Sequence, residues 1–365
     1  MKRLAAITLL LSMLLCACGK PSGTPAPEAT PSAPVSTPVP EQTPEATPTP
    51  EVTPEITPEA TPDATPEPTP EATPEVTPEP TPEPTPELPA GPVVDESVLL
   101  SFDGMYFEPR PQVDESAVTR FADKLNTLRS KYFADNKVYY AIIPDKSWYF
   151  RDKTDKYFDH EAICDSIGAQ LEGFTAIDLS GALSGSDYYV TDPHWRQENL
   201  SSVVSVLADA MSFTYTESAY SVNNAGTFVG TYGSKAEGFA PETLYYLTSD
   251  VINAAKVDNF QQKDFTKVYD SAKFGTNGYD IFLSGATPLT VIENPNAAEK
   301  RELVIFRDSF GSSIAPLMLE SYSKVTLVDL RYMVSALLPN HVNFKNADVL
   351  FLYCDELVNS SFLLK

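Results

Sequence analysis

Twenty-four of the chain's 33 prolines fall between Pro21 and Pro92, and that distribution separates a stretch that cannot pack a core from one that can. Proline removes an amide donor and fixes φ, so a proline every two to four residues lets neither helix nor sheet propagate. The segment repeats T-P-E-x-T-P, as in Thr57-Pro58-Glu59-Ala60-Thr61-Pro62. Its evenly spaced glutamates repel one another, and at ~3.1 Å per residue a polyproline II chain of this length reaches on the order of 200 Å. The reading is a disordered spacer, whose Thr-Pro pairs suit O-glycosylation, or else a neutral low-complexity expansion. Residues 1–92 carry thirteen acids against Lys2, Arg3 and Lys20, so −10 of the formal charge of −24 belongs to them. The remaining −14 is spread over 273 residues with no basic cluster, which argues against nucleic acid as a partner. A length of roughly 270 residues suits one α/β domain with insertions.

Ahead of the spacer, Lys2 and Arg3 precede an apolar run from Leu4 to Leu15 and a small-residue stretch. The run falls short of the ~20 residues a membrane-spanning helix needs and has the layout of an export signal. Leu15-Cys16-Ala17-Cys18 resembles the lipobox of bacterial lipoproteins. That resemblance implies cleavage before Cys18, a diacylglyceryl group on its sulfur, and an extracytoplasmic, lipid-anchored protein; the alternative is an ordinary signal peptide or an uncleaved anchor. The expected organisation is a signal peptide over 1–17, a lipid-anchored linker over 18–96 and a domain over 97–365.

Within the domain, Leu100–Phe107 reads as a hairpin around Asp103-Gly104. Residues 115–132 have helical period, with Val118, Phe121, Leu125 and Leu128 on one face. Continuous apolar runs predict strands buried on both sides at Val138–Ile143, Phe174–Leu179, Leu303–Phe306, Val325–Asp329 and Val349–Tyr353. Helices are expected over 160–172 and 196–211, and over Gly311–Tyr322 with a kink at Pro316. Strands alternating with helices predict a mostly parallel sheet with helices on both faces, and sites past the carboxyl ends of its strands.

Two stretches occupy such positions. Ser309 lies in Phe306-Arg-Asp-Ser-Phe-Gly311, where a strand meets a helix, a layout that exposes a nucleophile and aims nearby amides outward as an oxyanion hole. His194 follows Asp192 by two residues, so in extended chain both side chains leave the same face. A carboxylate there can fix the imidazole's tautomer while its other nitrogen takes a proton from Ser309. The bland reading is a surface Asp-x-His pair and an Asp-Ser helix cap.

These residues resemble a family. Tyr189-Val-Thr-Asp-Pro-His-Trp195 is similar to the Y-x-T-D-H-H-W element of the DHHW proteins, relatives of the alginate O-acetylation proteins in the SGNH hydrolase-like superfamily. Phe228–Lys235, Asp280–Gly285, Val304–Phe310 and Val328–Tyr332 resemble further family segments in matching order across roughly residues 100–360. The resemblance implies a three-layer α/β/α SGNH hydrolase-like domain in circularly permuted order. Ser309 is then the nucleophile, His194 the general base and Asp192 its orienting acid. Pro193 stands where the motif has its first histidine, so any role of that position is absent. Arg196-Gln-Glu-Asn departs from the family continuation, which bears on substrate contacts.

Four more residues are candidates for oxyanion or substrate binding. Arg331 either meets an oxyanion or sugar carboxylate, or pairs with Asp329 or Asp355. Tyr189 and Trp195 either stack on a sugar face or fill the core. Gly285 either admits the acyl group or ends a strand. His160 and His341 read as surface or structural. Cys164 and Cys354 form one disulfide or remain two thiols. No metal site or cofactor is expected. The implied function is an O-acyl, specifically O-acetyl, transferase or esterase acting on a cell-surface or secreted glycan, with a membrane-bound acyltransferase as a further partner. The competing reading is a glycan-binding or assembly module on the same fold.

Cys18→Ser is expected to abolish lipid modification and release the protein from membranes. Recovery of wild-type protein in the aqueous phase of a detergent partition, with no added lipid mass, contradicts the anchor.

Overall fold

The structure, a computed structural model, describes residues 91–275, 277–297 and 299–365; the signal segment, Cys18 and most of the Pro/Thr/Glu linker lie outside the described residues. The chain enters through a hairpin of β1 (Leu100–Phe102) and β2 (Met105–Phe107). Asp103 and Gly104 both have positive φ, as a two-residue turn between such strands demands.

Seven strands form the central sheet: β3 (Val138–Ile143), β4 (Thr175–Ala176), β7 (Lys256–Asn259), β8 (Leu289–Glu293), β9 (Glu302–Arg307), β10 (Lys324–Val328) and β11 (Ala347–Cys354), in the order β4-β3-β11-β9-β10-β8-β7. The first five in that order are parallel, and β8 and β7 extend the sheet antiparallel. Strand residues alternate between two cores, as the period of two requires. Tyr139, Ala141, Ile143, Leu303, Ile305, Leu350 and Leu352 face one core with Val203, Val204, Leu207 and Met211 of the helix Ser201–Met211. Val138, Tyr140, Ile142, Val304, Phe306, Val349 and Phe351 face the other. There the helix Glu115–Tyr132 lays down Val118, Phe121, Leu125 and Leu128, and the helix His160–Gly168 adds Ile163 and Ile167. The architecture is the expected three-layer α/β/α domain.

Local rules account for most boundaries and for the departures. The helix Glu115–Tyr132 starts where Asp114 accepts hydrogen bonds from the amides of Ser116 and Ala117. The helix expected over 160–172 stops at Gly168. The strand expected over Phe174–Leu179 shrinks to Thr175–Ala176, exposed at the sheet edge, with Ile177 and Leu179 reaching the core beyond it. Residues 197–199 make a 3-10 turn before the helix begins at Ser201, rather than at 196. The helix expected over Gly311–Tyr322 is α-helical only over Gly311–Ile314 and tightens to 3-10 over Ala315–Met318, where Pro316 cannot donate to an α ladder.

The polar middle of the domain holds structure that apolar runs did not signal. β5 (Ser221–Phe228) and β6 (Glu242–Thr248) form an antiparallel ribbon with a bulge between Asn224 and Gly226. Beneath it Tyr189, Phe228, Leu244, Tyr279, Ile281 and Phe282 make a third small core. Among the described residues no helix is long and apolar enough to cross a membrane.

Phe306 is fully buried on the central strand and stacks on Phe351 at 4.6 Å between ring centroids. Phe306→Ala is expected to destabilise the domain by about 3–5 kcal/mol, read from chemical denaturation; a loss below about 1 kcal/mol contradicts this packing.

Candidate active site

Four of the five parallel strands deliver polar groups to one rim. Asp145 follows β3, Asp308 and Ser309 follow β9, Asp329 and Arg331 follow β10, and Asp355 follows β11. Asp308 locks the turn after β9: its Oδ1 accepts from the Phe310 amide at 3.0 Å and its Oδ2 from the Cys354 amide at 2.8 Å. Ser309 is left half-buried at the opening of a cavity of about 200 Å³, which His194, Phe310, Arg331, Cys354 and Leu363 help to line.

The Asp192/His194 segment arrives from outside the sheet. Tyr188 and Trp195 pair as an isolated bridge, the Tyr189 amide donates to His194 O, and the Arg196 amide donates to Asp187 O. This closes a tight loop over residues 189–194. Glu242 on β6 accepts from the Val190 and Thr191 amides and from the Thr191 hydroxyl, and also pairs with Arg196. His194 Nε2 lies 2.7 Å from Ser309 Oγ, and its Nδ1 lies 2.6 Å from Asp192 Oδ1. The imidazole also stacks on the ring of Tyr279, with centroids 3.9 Å apart and planes 14° from parallel. The Tyr279 hydroxyl meets Ser313 Oγ, which also accepts from Trp195 Nε1.

Asp192 is fully buried. Burial alone would raise its carboxyl; the His194 ring, with the amides of Thr231 and His194, overcomes this and holds it below the usual carboxylate range. The carboxylate therefore stays ionised beside the imidazole, and with its Oδ1 on Nδ1 the proton-accepting nitrogen is Nε2, on the serine side.

The structure thus brings Asp192, His194 and Ser309 together, with Arg331 on the same cavity and Tyr189, Trp195 and Gly285 off it. Arg331 lines the cavity but is clamped on Asp329, through Nε to Oδ1 at 2.9 Å and one terminal nitrogen to Oδ2 at 2.7 Å. Tyr189 and Trp195 are wholly buried, so neither offers a face to a sugar; they fill the core under the loop. Gly285 has φ +77 and its carbonyl accepts from the buried Arg307, while a Cβ there would run into Asp280. It shapes the layer behind the serine and does not line the cavity.

The amides expected to form an oxyanion hole are largely committed: Phe310 N to Asp308 Oδ1, Gly311 N to Asp308 O and Ser312 N to Ser309 O. Cys164 and Cys354 are separate thiols. His160 is buried, not at the surface, with Nδ1 2.9 Å from Asp355 Oδ1; His341 is exposed and edges onto Phe260. Sequence reasoning missed Lys146, Asp308 and Tyr279. Only Asp308 carried a signal, as an Asp one residue before the turn serine. Among the described residues no group of His, Cys, Asp and Glu is arranged to hold a metal ion.

Residues 183–328 match the DHHW protein family profile. A DHHW family protein from Eubacterium siraeum shares the fold with a TM-score of 0.61 at 20% identity, over 74% of this chain and 94% of that one. Bacillus cereus PatB1 superposes with a TM-score of 0.58 at 17% identity, over 72% of this chain and 97% of the other. The same PatB1, solved with a sulfonyl adduct, gives 0.56 at 17% identity, over 72% and 96%. At these identities the likeness establishes the fold. No curated protein sequence matches the chain.

The loop depends on a close approach at Gly230, where a Cβ would lie 2.4 Å from Asp192 Cβ and 2.6 Å from Thr191 O. Gly230→Ala is expected to destabilise the domain by about 1–3 kcal/mol, whereas Gly181→Ala, where a Cβ meets nothing within 4 Å, leaves stability unchanged. Equal denaturation midpoints for the two variants contradict the tight contact.

Proposed function

We propose, from the match of residues 183–328 to the DHHW family and from the fold shared with a DHHW family protein, that this chain is an SGNH hydrolase-like, serine-dependent O-acyl transfer enzyme, using acetyl groups, that acts on a glycan outside the cytoplasm. The observation that carries the reading is the relay Asp192 Oδ1–Nδ1 His194 Nε2–Oγ Ser309, with spacings of 2.6 and 2.7 Å. A serine hydroxyl is a weak nucleophile until a base removes its proton, and this serine has one at hydrogen-bonding distance, facing a cavity.

In the reaction, Ser309 Oγ attacks the acyl carbonyl as its proton passes to His194 Nε2. Asp192 steadies the imidazolium without taking the proton. Collapse of the tetrahedral intermediate expels the donor's alcohol or thiol, which receives the proton from Nε2, and leaves an acyl ester on Ser309. A sugar hydroxyl, deprotonated by the same nitrogen, then attacks the acyl ester; the bond to Ser309 Oγ breaks and Nε2 returns the proton to that oxygen, while water in place of the sugar makes the enzyme an esterase. Arg331, fixed by Asp329, presents positive charge at the cavity and is suited to the developing oxyanion or to an acidic group of the acceptor. The sulfonyl adduct described for PatB1 suggests a direct probe, since a sulfonyl fluoride traps an activated serine. The lipid on Cys18 and the Pro/Thr/Glu linker would hold this site at a distance from the membrane, where a membrane-bound acyltransferase could supply the donor.

Ser309→Ala and His194→Ala are expected to reduce turnover of p-nitrophenyl acetate and of acetylated glycans to background. Asp192→Asn should lower it by about 10²- to 10⁴-fold. Because the three act as a unit, the triple variant should be no worse than Ser309→Ala. Wild-type domain that is folded yet indistinguishable from Ser309→Ala on every donor and polymer returns the protein to the binding-module reading.

A further inference from the structure

Lys146 opens the 3-10 turn after β3, directly behind Asp145, and is one of the most deeply buried side chains in the domain. An ammonium taken out of water is costly unless each of its protons finds an acceptor. Lys146 finds three: Nζ donates to Tyr106 O at 2.8 Å, to Tyr189 O at 2.7 Å and to Asp192 O at 2.8 Å. The Tyr232 ring covers it, with the nitrogen 4.8 Å from the centroid. Two of the three carbonyls belong to the loop that carries the catalytic pair, and one of those is the carbonyl of Asp192 itself. The third comes from the hairpin strand β2. A single buried cation thus ties the loop bearing Asp192 to β2 and to the end of β3.

We propose that Lys146 is a positioning residue for the Asp192–His194 pair, its ammonium fixing the main chain of the loop so that the imidazole bridges Asp192 and Ser309. This rests on the acyl-transfer reading of the site. A purely structural lysine could be replaced by an apolar side chain of similar volume with little consequence for chemistry. A positioning lysine could not, because its loss frees the Tyr189 and Asp192 carbonyls and with them the main chain that carries the Asp192 side chain.

The ammonium must stay charged to serve three acceptors, since a neutral amine has two N–H groups and a lone pair that repels the third carbonyl. Burial pushes Lys146 down to about 7, against the pull of the Asp192, Asp145 and Glu242 carboxylates and with the push of the Arg110 guanidinium. The charged form exists below that value and is lost as pH rises through it. Activity is therefore expected to fall on the alkaline side, with a limb that belongs to Lys146.

The test compares K146M and K146A with wild type on an activated acetyl ester. In K146M, kcat should drop about 10²-fold, with KM changed less than kcat, and the alkaline limb should vanish. In K146A, propylammonium, which replaces the missing atoms and charge, should restore turnover, and 1-propanol should not. A folded K146M with wild-type kcat, or equal rescue by amine and alcohol, overturns the proposal. The His194 Nδ1 proton gives a readout independent of turnover. Its downfield proton resonance should weaken in wild type as pH rises through the Lys146 titration, while near-ultraviolet circular dichroism stays constant. A resonance unchanged through that range overturns the proposal even if neither variant folds. Failure of the acyl-transfer reading itself shows separately, as wild-type turnover equal to that of Ser309→Ala.

Discussion

The Asp192 carboxylate is fully enclosed by protein, and a charge in that position must be met by donors from every side. It receives the His194 ring, the His194 amide and the Thr231 amide, and its own carbonyl accepts from Lys146. His194 lies on the same loop as Asp192, but Thr231 and Lys146 come from other pieces of chain, so satisfying this one residue fixes where those pieces meet. Removing a donor leaves the carboxylate, or for Lys146 the main-chain carbonyl, with an unfilled lone pair, which costs more than the missing bond alone. Gly230 marks the tightness of the fit, because a methyl group there would overlap Asp192.

That constraint matters only because the sheet offers a rigid counterpart. Parallel strands buried on both faces bring their carboxyl ends to one rim. Asp308 spends both carboxylate oxygens on holding the turn that exposes Ser309, one toward Phe310 and one toward the neighbouring strand at Cys354. The serine is thereby fixed by the sheet and the histidine by the loop. Their 2.7 Å contact is the meeting of two independently braced parts. Tyr279 completes the arrangement: stacked under the imidazole and held by Ser313, it leaves the ring little freedom to rotate.

Much of this was legible in the sequence because continuous apolar runs report strands buried on both sides. Val138–Ile143, Leu303–Phe306 and Val349–Tyr353 became β3, β9 and β11. Phe174–Leu179, interrupted by Thr175 and Asp178, lies at the sheet edge, where only two residues pair. The β5–β6 ribbon was illegible because Ser221-Val-Asn-Asn-Ala-Gly alternates weakly and bulges at Gly226, so its stability comes from the small core beneath it. The Asp-x-His spacing and the serine at a strand-to-helix turn pointed to residues that do meet. Nothing local could reveal Lys146, whose acceptors are main-chain carbonyls 40 to 46 residues away. The assignment of Tyr189 and Trp195 stayed open for a related reason, since aromatic residues beside a motif look the same whether they face a ligand or the core.

In the proposed reaction Ser309 carries the acyl group covalently. The most direct measurement is mass spectrometry of peptides from protein quenched in acid during turnover of an activated acetyl ester. An acetyl group is expected on the peptide containing Ser309, enriched when the acceptor is withheld and absent in Ser309→Ala and His194→Ala. Acetate release by folded wild-type protein with no acetyl at Ser309, or with the label on another residue, would contradict it.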